Sequence, residues 1–274
     1  MFKILQQKMQ RGYLKFMNDF VFKKKFGQNF ISDKNLLNAI ASDADISDND
    51  EILEIGAGAG SLTQVLSEKA KKVVSFEIDK TLTENLLALD LKNVEFVFGD
   101  FMEANLSEIE QKFEKKYKVV ANLPYYITTP IIFRFFEEAS KLDSLTIMVQ
   151  KEVAERVCAK VGGKDYGILT VMTNFYGNPK ITRIINRKMF YPVPNVDSAL
   201  LNIKLVDKYP KVDKNAFLKF IKACFSMRRK TLLNNLSSLY TKDKLKSILG
   251  EQILQKRAEQ FSLDEFVEIF EKLN

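Results

Sequence analysis

Short apolar runs, each ending in glycine or a polar residue, recur along the chain to about residue 205. They cover Glu51–Ile55, Val73–Glu77, Val94–Phe98, Tyr117–Ala121, Leu145–Val149, Ile181–Asn186 and Ser198–Leu205. Their length and their Val, Ile and Phe content predict buried strands. Between them, apolar residues fall at helical spacing: Leu36, Leu37 and Ile40; Leu62, Val65 and Leu66; Ile131, Ile132, Phe135 and Phe136. The first helix has Ser32 or Asp33 as its cap, and the third opens on Thr129-Pro130. Residues 151–161 and 167–176 also read as helical, and residues 42–50 as a polar loop. Strands alternating with helices predict an α/β fold, closed by the last pair of strands. Residues 206–213 form a polar linker. Beyond it the spacing is only helical, through Phe217, Phe220 and Ile221, then Leu232, Leu233 and Leu236, and finally Phe266, Ile269 and Phe270. This predicts a small all-α domain of four or five helices. Residues 1–22 read as a basic N-terminal extension forming a lead-in helix, which divides the chain into 1–22, 23–205 and 206–274.

In an open α/β sheet, ligands bind beyond the carboxyl ends of the strands, and here those ends carry chemistry. The first strand runs into Gly56-Ala57-Gly58-Ala59-Gly60. Strand, glycine turn and helix together suit a nucleoside-bearing ligand, with free N–H donors at the helix start. The spacing is GxGxG, not the GxGxxG of a pyrophosphate site. The second strand ends in Glu77, placed to take ribose hydroxyls, and the third in Gly99-Asp100-Phe101, placed to take an adenine. The fourth ends in Asn122-Leu123-Pro124-Tyr125-Tyr126. Asn both donates and accepts hydrogen bonds, Pro stiffens the loop, and Tyr offers a flat face. The residues of this stretch alone are compatible with a strand-ending turn as well as with a site for a planar amine such as adenine.

Composition narrows the chemistry. The 274 residues include no His, which excludes Ser-His-Asp and Cys-His catalysis and imidazole metal sites. Cys158 and Cys224 are far apart and form no CxxC, so neither a disulfide framework nor a zinc site is expected, and no metal is called for. No apolar run approaches the ~20 residues that span a bilayer, and no secretory h-region is present. A cytoplasmic protein without a membrane partner is expected. The net charge of +7 is unevenly spread: residues 1–25 carry +6 and 206–274 carry +5, around a middle of −4. Basic ends on a slightly acidic body suit a nucleic-acid partner.

The chain resembles the ribosomal RNA adenine dimethyltransferase family, in particular its small-subunit members. The resemblance is carried by Phe26–Ile31 (FGQNFI), Glu54–Thr63 (EIGAGAGSLT), Glu77, Gly99-Asp100, Asn122–Ile127 (NLPYYI), Gln150–Glu155 (QKEVAE), Phe190–Ser198 and Phe225–Leu232 (FSMRRKTL). NLPYYI and FSMRRKTL are specific, whereas the glycine turn is generic to class I methyltransferases. Residues 1–22 have no recognised counterpart in the family pattern. The resemblance implies a Rossmann-like, seven-stranded methyltransferase domain, S-adenosylmethionine as cofactor, and dimethylation of two adjacent adenosines near the 3′ end of 16S rRNA in the immature small ribosomal subunit, by a monomer. It implies that Gln28, Asn29 and Ile31 lie over the cofactor and that Gly56 and Gly58 hold its methionine part. Glu77, with Ile78 beside it, takes the ribose, Asp100 and Phe101 hold the adenine, and Asn122 closes the site by the methyl.

The chemistry follows physically. The lone pair of the adenine amine is delocalised into its ring. Acceptors at its two hydrogens, the Asn122 side-chain oxygen and the Leu123 or Pro124 carbonyl, would localise it and stabilise the charge that grows during transfer. The alkylated amine is strongly acidic, so its proton needs no dedicated base. Tyr125 would stack on a flipped-out base, with Phe190 as a second face. Lys23, Lys24, Lys25, Arg187, Lys188, Arg228, Arg229 and Lys230 are the candidate RNA contacts. Other readings are a macrolide-resistance type 23S rRNA dimethyltransferase, a nicotinamide oxidoreductase on the same sheet, and a non-catalytic pre-ribosome assembly factor. The glycine spacing and the NLPY run argue against the oxidoreductase.

Overall fold

The computed structural model of the chain describes residues 28–274. The expected lead-in helix of residues 1–22 and the cations Lys23, Lys24 and Lys25 lie outside the described residues. Two short strands, β1 (Phe30–Ile31) and β8 (Phe190–Tyr191), pair antiparallel with Phe30 opposite Tyr191 and Ile31 opposite Phe190. The other seven form one sheet: β2 (Glu51–Ile55), β3 (Lys72–Glu77), β4 (Val94–Phe98), β5 (Tyr117–Asn122), β6 (Leu142–Gln150), β7 (Gly177–Ile185) and β9 (Ser198–Leu205). Their order is β4-β3-β2-β5-β6-β9-β7. The first five in this order run parallel, and β9 is antiparallel to both its neighbours.

Position in the sheet explains composition. All five residues of β2 are buried, as expected of a strand covered by helices on both faces. From β2 the chain winds outward to β3 and β4, then crosses back to β5 and β6. The strand order therefore reverses between β2 and β5, where Ile55 pairs with Ala121, and the crevice of an open α/β sheet forms at such a switch point. Gly56 and Asn122 follow directly at that point.

Two strands are longer than the sequence pattern predicts. β6 begins at Leu142 and β7 at Gly177, four residues before the expected Ile181. Pro179 reads as a strand breaker, but β7 is the sheet's edge strand, where a missing N–H is tolerated. The β1–β8 pair is too short to leave a periodic signal.

Among the described residues seven α-helices accompany the strands: α1 (Lys34–Asp43), α2 (Ser61–Lys69), α3 (Thr83–Leu87), α4 (Leu106–Gln111), α5 (Thr128–Glu138), α6 (Lys151–Val157) and α7 (Ile168–Tyr176). Of the two candidate caps, Asp33 caps α1, accepting from the Leu36 amide at 2.8 Å. Four more helices follow the linker: α8 (Lys214–Cys224), α9 (Leu232–Leu236), α10 (Lys242–Gln255) and α11 (Leu263–Leu273). Asp213 caps α8, and Ser262 with Glu265 forms a capping box on α11. The linker separates compositions but not cores. One apolar cluster runs from β5 and α5 through α7 into α8 and α11, and Phe175 stacks on Phe217 at 4.5 Å between centroids.

Candidate active site

An open cleft lies at the switch point, where ligands of open α/β sheets bind. Gln28, Asn29, Ile31, Gly56, Gly58, Glu77, Ile78, Asn122 and Pro124 all line it, so the structure brings together residues drawn from four separate motifs. Leu37 and Met148 also line it and carry no sequence signal beyond ordinary core positions.

The glycine loop is shaped by its neighbours. Gly58 has φ +56°, and a Cβ there would meet the Phe30 ring at 2.9 Å. Gly60, at φ +78°, starts α2, and a Cβ on it would meet Leu89 at 2.4 Å. Both positions need glycine for backbone conformation and for space. Glu77 fixes the loop from below: Oε2 accepts from the Gly58 amide and Oε1 from the Asp79 amide, both at 2.7 Å. Burial, reinforced by the nearby Asp79 charge, raises the Glu77 pKa, while those amide bonds pull it down. Each oxygen retains a second lone pair for a ligand hydroxyl. Asp79, which carries no motif in the sequence, is 1% exposed, accepts from Gln28 Nε2 at 3.1 Å and so ties the segment before β1 to the loop. Its position as the cap of a short turn at Lys80 was the available signal.

Glu54 lies one strand inward and is fully buried. Its Oε2 accepts from Thr63 Oγ1 and Ser75 Oγ, both at 2.6 Å, and its Oε1 has no partner among the described residues. Burial, with a lesser contribution from the Glu77 charge, pushes its pKa up to about 7.

At β5, Asn122 Nδ2 donates to the Asn29 carbonyl at 2.7 Å. A carbonyl can only accept, so this bond fixes the amide orientation and leaves Oδ1 as the acceptor available to the cleft. The Pro124 carbonyl accepts from the Ile127 amide at 3.2 Å in the turn Tyr125–Ile127. The turn thus uses the Pro124 carbonyl, and of the two carbonyls considered from sequence, Leu123 is the better second acceptor. Pro124 contributes as cleft wall. Tyr125 is half-buried, its hydroxyl hydrogen-bonded to Ser198 Oγ at 2.7 Å. Burial, with the Asp197 charge, raises its pKa despite that bond, so it stays a neutral phenol.

Three expected contacts sit differently. Phe101 does not present its ring: it is 4% exposed, edge-on to Phe76 and beneath the Arg134 guanidinium. Any contact it makes with a ligand must come from its backbone. Asp100 is outside the cleft lining, and its Oδ1 accepts from the Met102 amide at 2.8 Å. Phe190 is 3% exposed and packs in the cluster containing Ile31, Leu37 and Met148, so it stands behind the cleft wall instead of offering an open face. The reason is its register opposite Ile31 in the β1–β8 pair, which turns the ring inward.

The described basic candidates are all exposed: Arg187, Lys188, Arg228, Arg229 and Lys230. None makes an ion pair among the described residues. Arg228 donates to the Lys164 carbonyl, bridging the helical unit to the loop before α7. The loop 225–231 is held by buried Asn235, whose Nδ2 donates to the Cys224 carbonyl at 2.5 Å and the Met227 carbonyl at 3.2 Å. Among the described residues no cluster of His, Cys, Asp or Glu could hold a metal, and no helix is long and apolar enough to cross a membrane.

A parallel sheet with one antiparallel strand inserted, a glycine turn at its switch point and an Asn-Leu-Pro-Tyr strand end define a Rossmann-like methyltransferase. More narrowly, the chain belongs to the ribosomal RNA adenine dimethylase family, whose model matches residues 19–274. It is 46% identical to ribosomal RNA small subunit methyltransferase A of Fusobacterium nucleatum, over 92% of this chain and 97% of that one. It is 45% identical to the protein of the same name from Caldanaerobacter subterraneus, over 90% and 95%. Its fold is similar to a dimethyladenosine transferase from Plasmodium falciparum (TM-score 0.75, 26% identity, 89% of this chain and 98% of that one). It is also similar to the 23S rRNA methyltransferase ErmE (TM-score 0.65, 27% identity, 89% and 99%).

Proposed function

We propose that the chain transfers methyl groups from S-adenosylmethionine to the exocyclic amines of two adjacent adenosines near the 3′ end of 16S rRNA, in the immature small ribosomal subunit. The observation that carries this reading is the Asn122 amide, locked by the Asn29 carbonyl so that Oδ1 is an acceptor at the cleft. The names of the relatives at 46% and 45% identity favour the small-subunit substrate over the 23S alternative.

The cofactor fits the residues present. Gly56 and Gly58 present bare backbone to the cleft, and the carboxylate of Glu77 keeps lone pairs for two hydroxyls. Bound there, the cofactor supplies an electrophilic methyl group. Asn122 Oδ1 and the Leu123 carbonyl accept the two hydrogens of the adenine amine, which concentrates its lone pair on nitrogen and stabilises the positive charge as the N–C bond forms. Glu77 is the only titratable residue among the described cleft lining, and its remaining lone pairs are committed to the ribose hydroxyls. Proton loss from the alkylated amine therefore goes to solvent. Tyr125, fixed by Ser198, provides the stacking face for the flipped base. Arg229 and Lys230 hold phosphates.

The test is Asn122→Ala. Removing one preorganised partner of a developing charge typically lowers the rate by ~10²–10³-fold. Methyl transfer to immature subunits should fall by about that factor while the protein still binds S-adenosylmethionine. Unchanged transfer would overturn the mechanism.

A further inference from the structure

The base site described above leaves Tyr126 without a role. Tyr126 follows Tyr125 directly, yet its environment is opposite: Tyr125 is half-buried and anchored, whereas Tyr126 is 61% exposed. It is more exposed than any other large hydrophobic or aromatic residue among those described. An exposed tyrosine beside a cleft loses apolar contact that a partner can restore.

Its surroundings say which partner. Hydrogen bonds connect the rim in a continuous series. The Tyr125 hydroxyl meets Ser198. Asp197, next in the chain, accepts from the Arg187 amide at 2.9 Å through its side chain and from the Lys151 amide at 3.0 Å through its carbonyl. Arg187, Lys188 and Lys151 are all exposed. Arg187 and Lys188, two cations without an ion pair among the described residues, thus stand on the rim beyond Tyr125, together with Lys151, which pairs with Glu155 at 3.7 Å, and with exposed Val193 and Val196 in the same loop. A flat aromatic surface flanked by cations is the combination that binds a single-stranded nucleic acid, with bases on rings and phosphates on cations.

We infer that Tyr126 is the stacking platform for the nucleotide next to the one being methylated, so that the waiting adenosine rests on Tyr126 while its neighbour occupies the site at Asn122. This rests on the proposed function and adds a residue that determines substrate binding. The turn Tyr125–Ile127 carries both rings on one rigid support, which sets the separation of the two bases.

The experiment compares wild type, Tyr126→Phe, Tyr126→Leu and Tyr126→Ala in two assays. In the first, with immature small subunits and S-adenosylmethionine, Tyr126→Ala should raise KM for the subunit roughly tenfold, the scale of one lost base–aromatic stack. Its kcat should stay within about threefold, since Tyr126 does not touch the reacting amine. RNA dimethylated on only one adenosine should accumulate. Tyr126→Phe should restore both readouts and Tyr126→Leu should not. In the second assay, without cofactor, affinity for a fluorescent single-stranded RNA carrying two adjacent adenosines should weaken in the same order. Unchanged KM, unchanged distribution of dimethyladenosine and unchanged oligonucleotide affinity in Tyr126→Ala would overturn the inference, as would rescue by Leu equal to Phe. Should wild type transfer no methyl group to subunits, the proposed function fails, and the oligonucleotide assay still decides whether Tyr126 stacks on RNA.

Discussion

Glu54→Gln isolates the cost of a carboxylate buried beneath the cofactor loop. In the folded chain its pKa lies near 7, against an ordinary value of 4.5, because burial disfavours the charge. The protonated native state therefore binds a proton that the unfolded chain releases near pH 4.5, and stability from this group is fully present below that pH. It is lost as pH rises through about 7. At ~1.4 kcal/mol per pH unit the loss amounts to about 3 kcal/mol by pH 8. Gln cannot ionise, keeps an acceptor for Thr63 and Ser75, and places its NH2 where Glu54 Oε1 has no partner. That last change carries a penalty of its own, but one that does not vary with pH. The readout is thus the difference in unfolding free energy between the two proteins, measured by urea denaturation from pH 4.5 to 8. It should move by about 3 kcal/mol in favour of the variant as pH rises, all other titrations cancelling. A difference that stays flat across this range would refute the assignment of a protonated, buried Glu54.

Glu77→Gln should behave in the opposite way: two amides point at its two oxygens, so an NH2 must face a donor. Titration calorimetry should show S-adenosylmethionine binding weakened at least about tenfold, and stability should fall by ~1–3 kcal/mol. Phe217→Ala removes the ring that joins the helical unit to α7, and should cost ~3–5 kcal/mol in urea unfolding while both units still unfold in one transition. Reversing charge at Arg229 and Lys230 should reduce affinity for rRNA and lower the slope of log K against log salt by about 2. An unchanged slope would remove this loop from the RNA interface.

Much of the sheet was legible because its strands are buried on both faces and read as continuous apolar runs, as in β2. What was hidden was set by partners distant in sequence. β7 starts at Gly177, ahead of the apolar run at Ile181, and takes in Pro179, which only its place at the sheet edge makes tolerable. The cleft residues Gln28, Gly58, Glu77 and Asn122 were legible as strand ends and by family resemblance, and the structure gathers them. Residue chemistry alone could not assign the inward turn of Phe101 and Phe190, since an aromatic beside a motif suits a core as well as a ligand. The same limit hid the choice between the Leu123 and Pro124 carbonyls, which depends on the Ile127 amide reaching back to Pro124.

The central claim is that adenosine amines are methylated at the Asn122 strand end. Its most direct test is to incubate the protein with immature small subunits and methyl-labelled S-adenosylmethionine, then map the label along the RNA. The account predicts N6,N6-dimethyladenosine at two adjacent positions near the 3′ end of 16S rRNA, formed ~10²–10³-fold more slowly with Asn122→Ala. Label elsewhere, in 23S rRNA, or undiminished in the variant would contradict it.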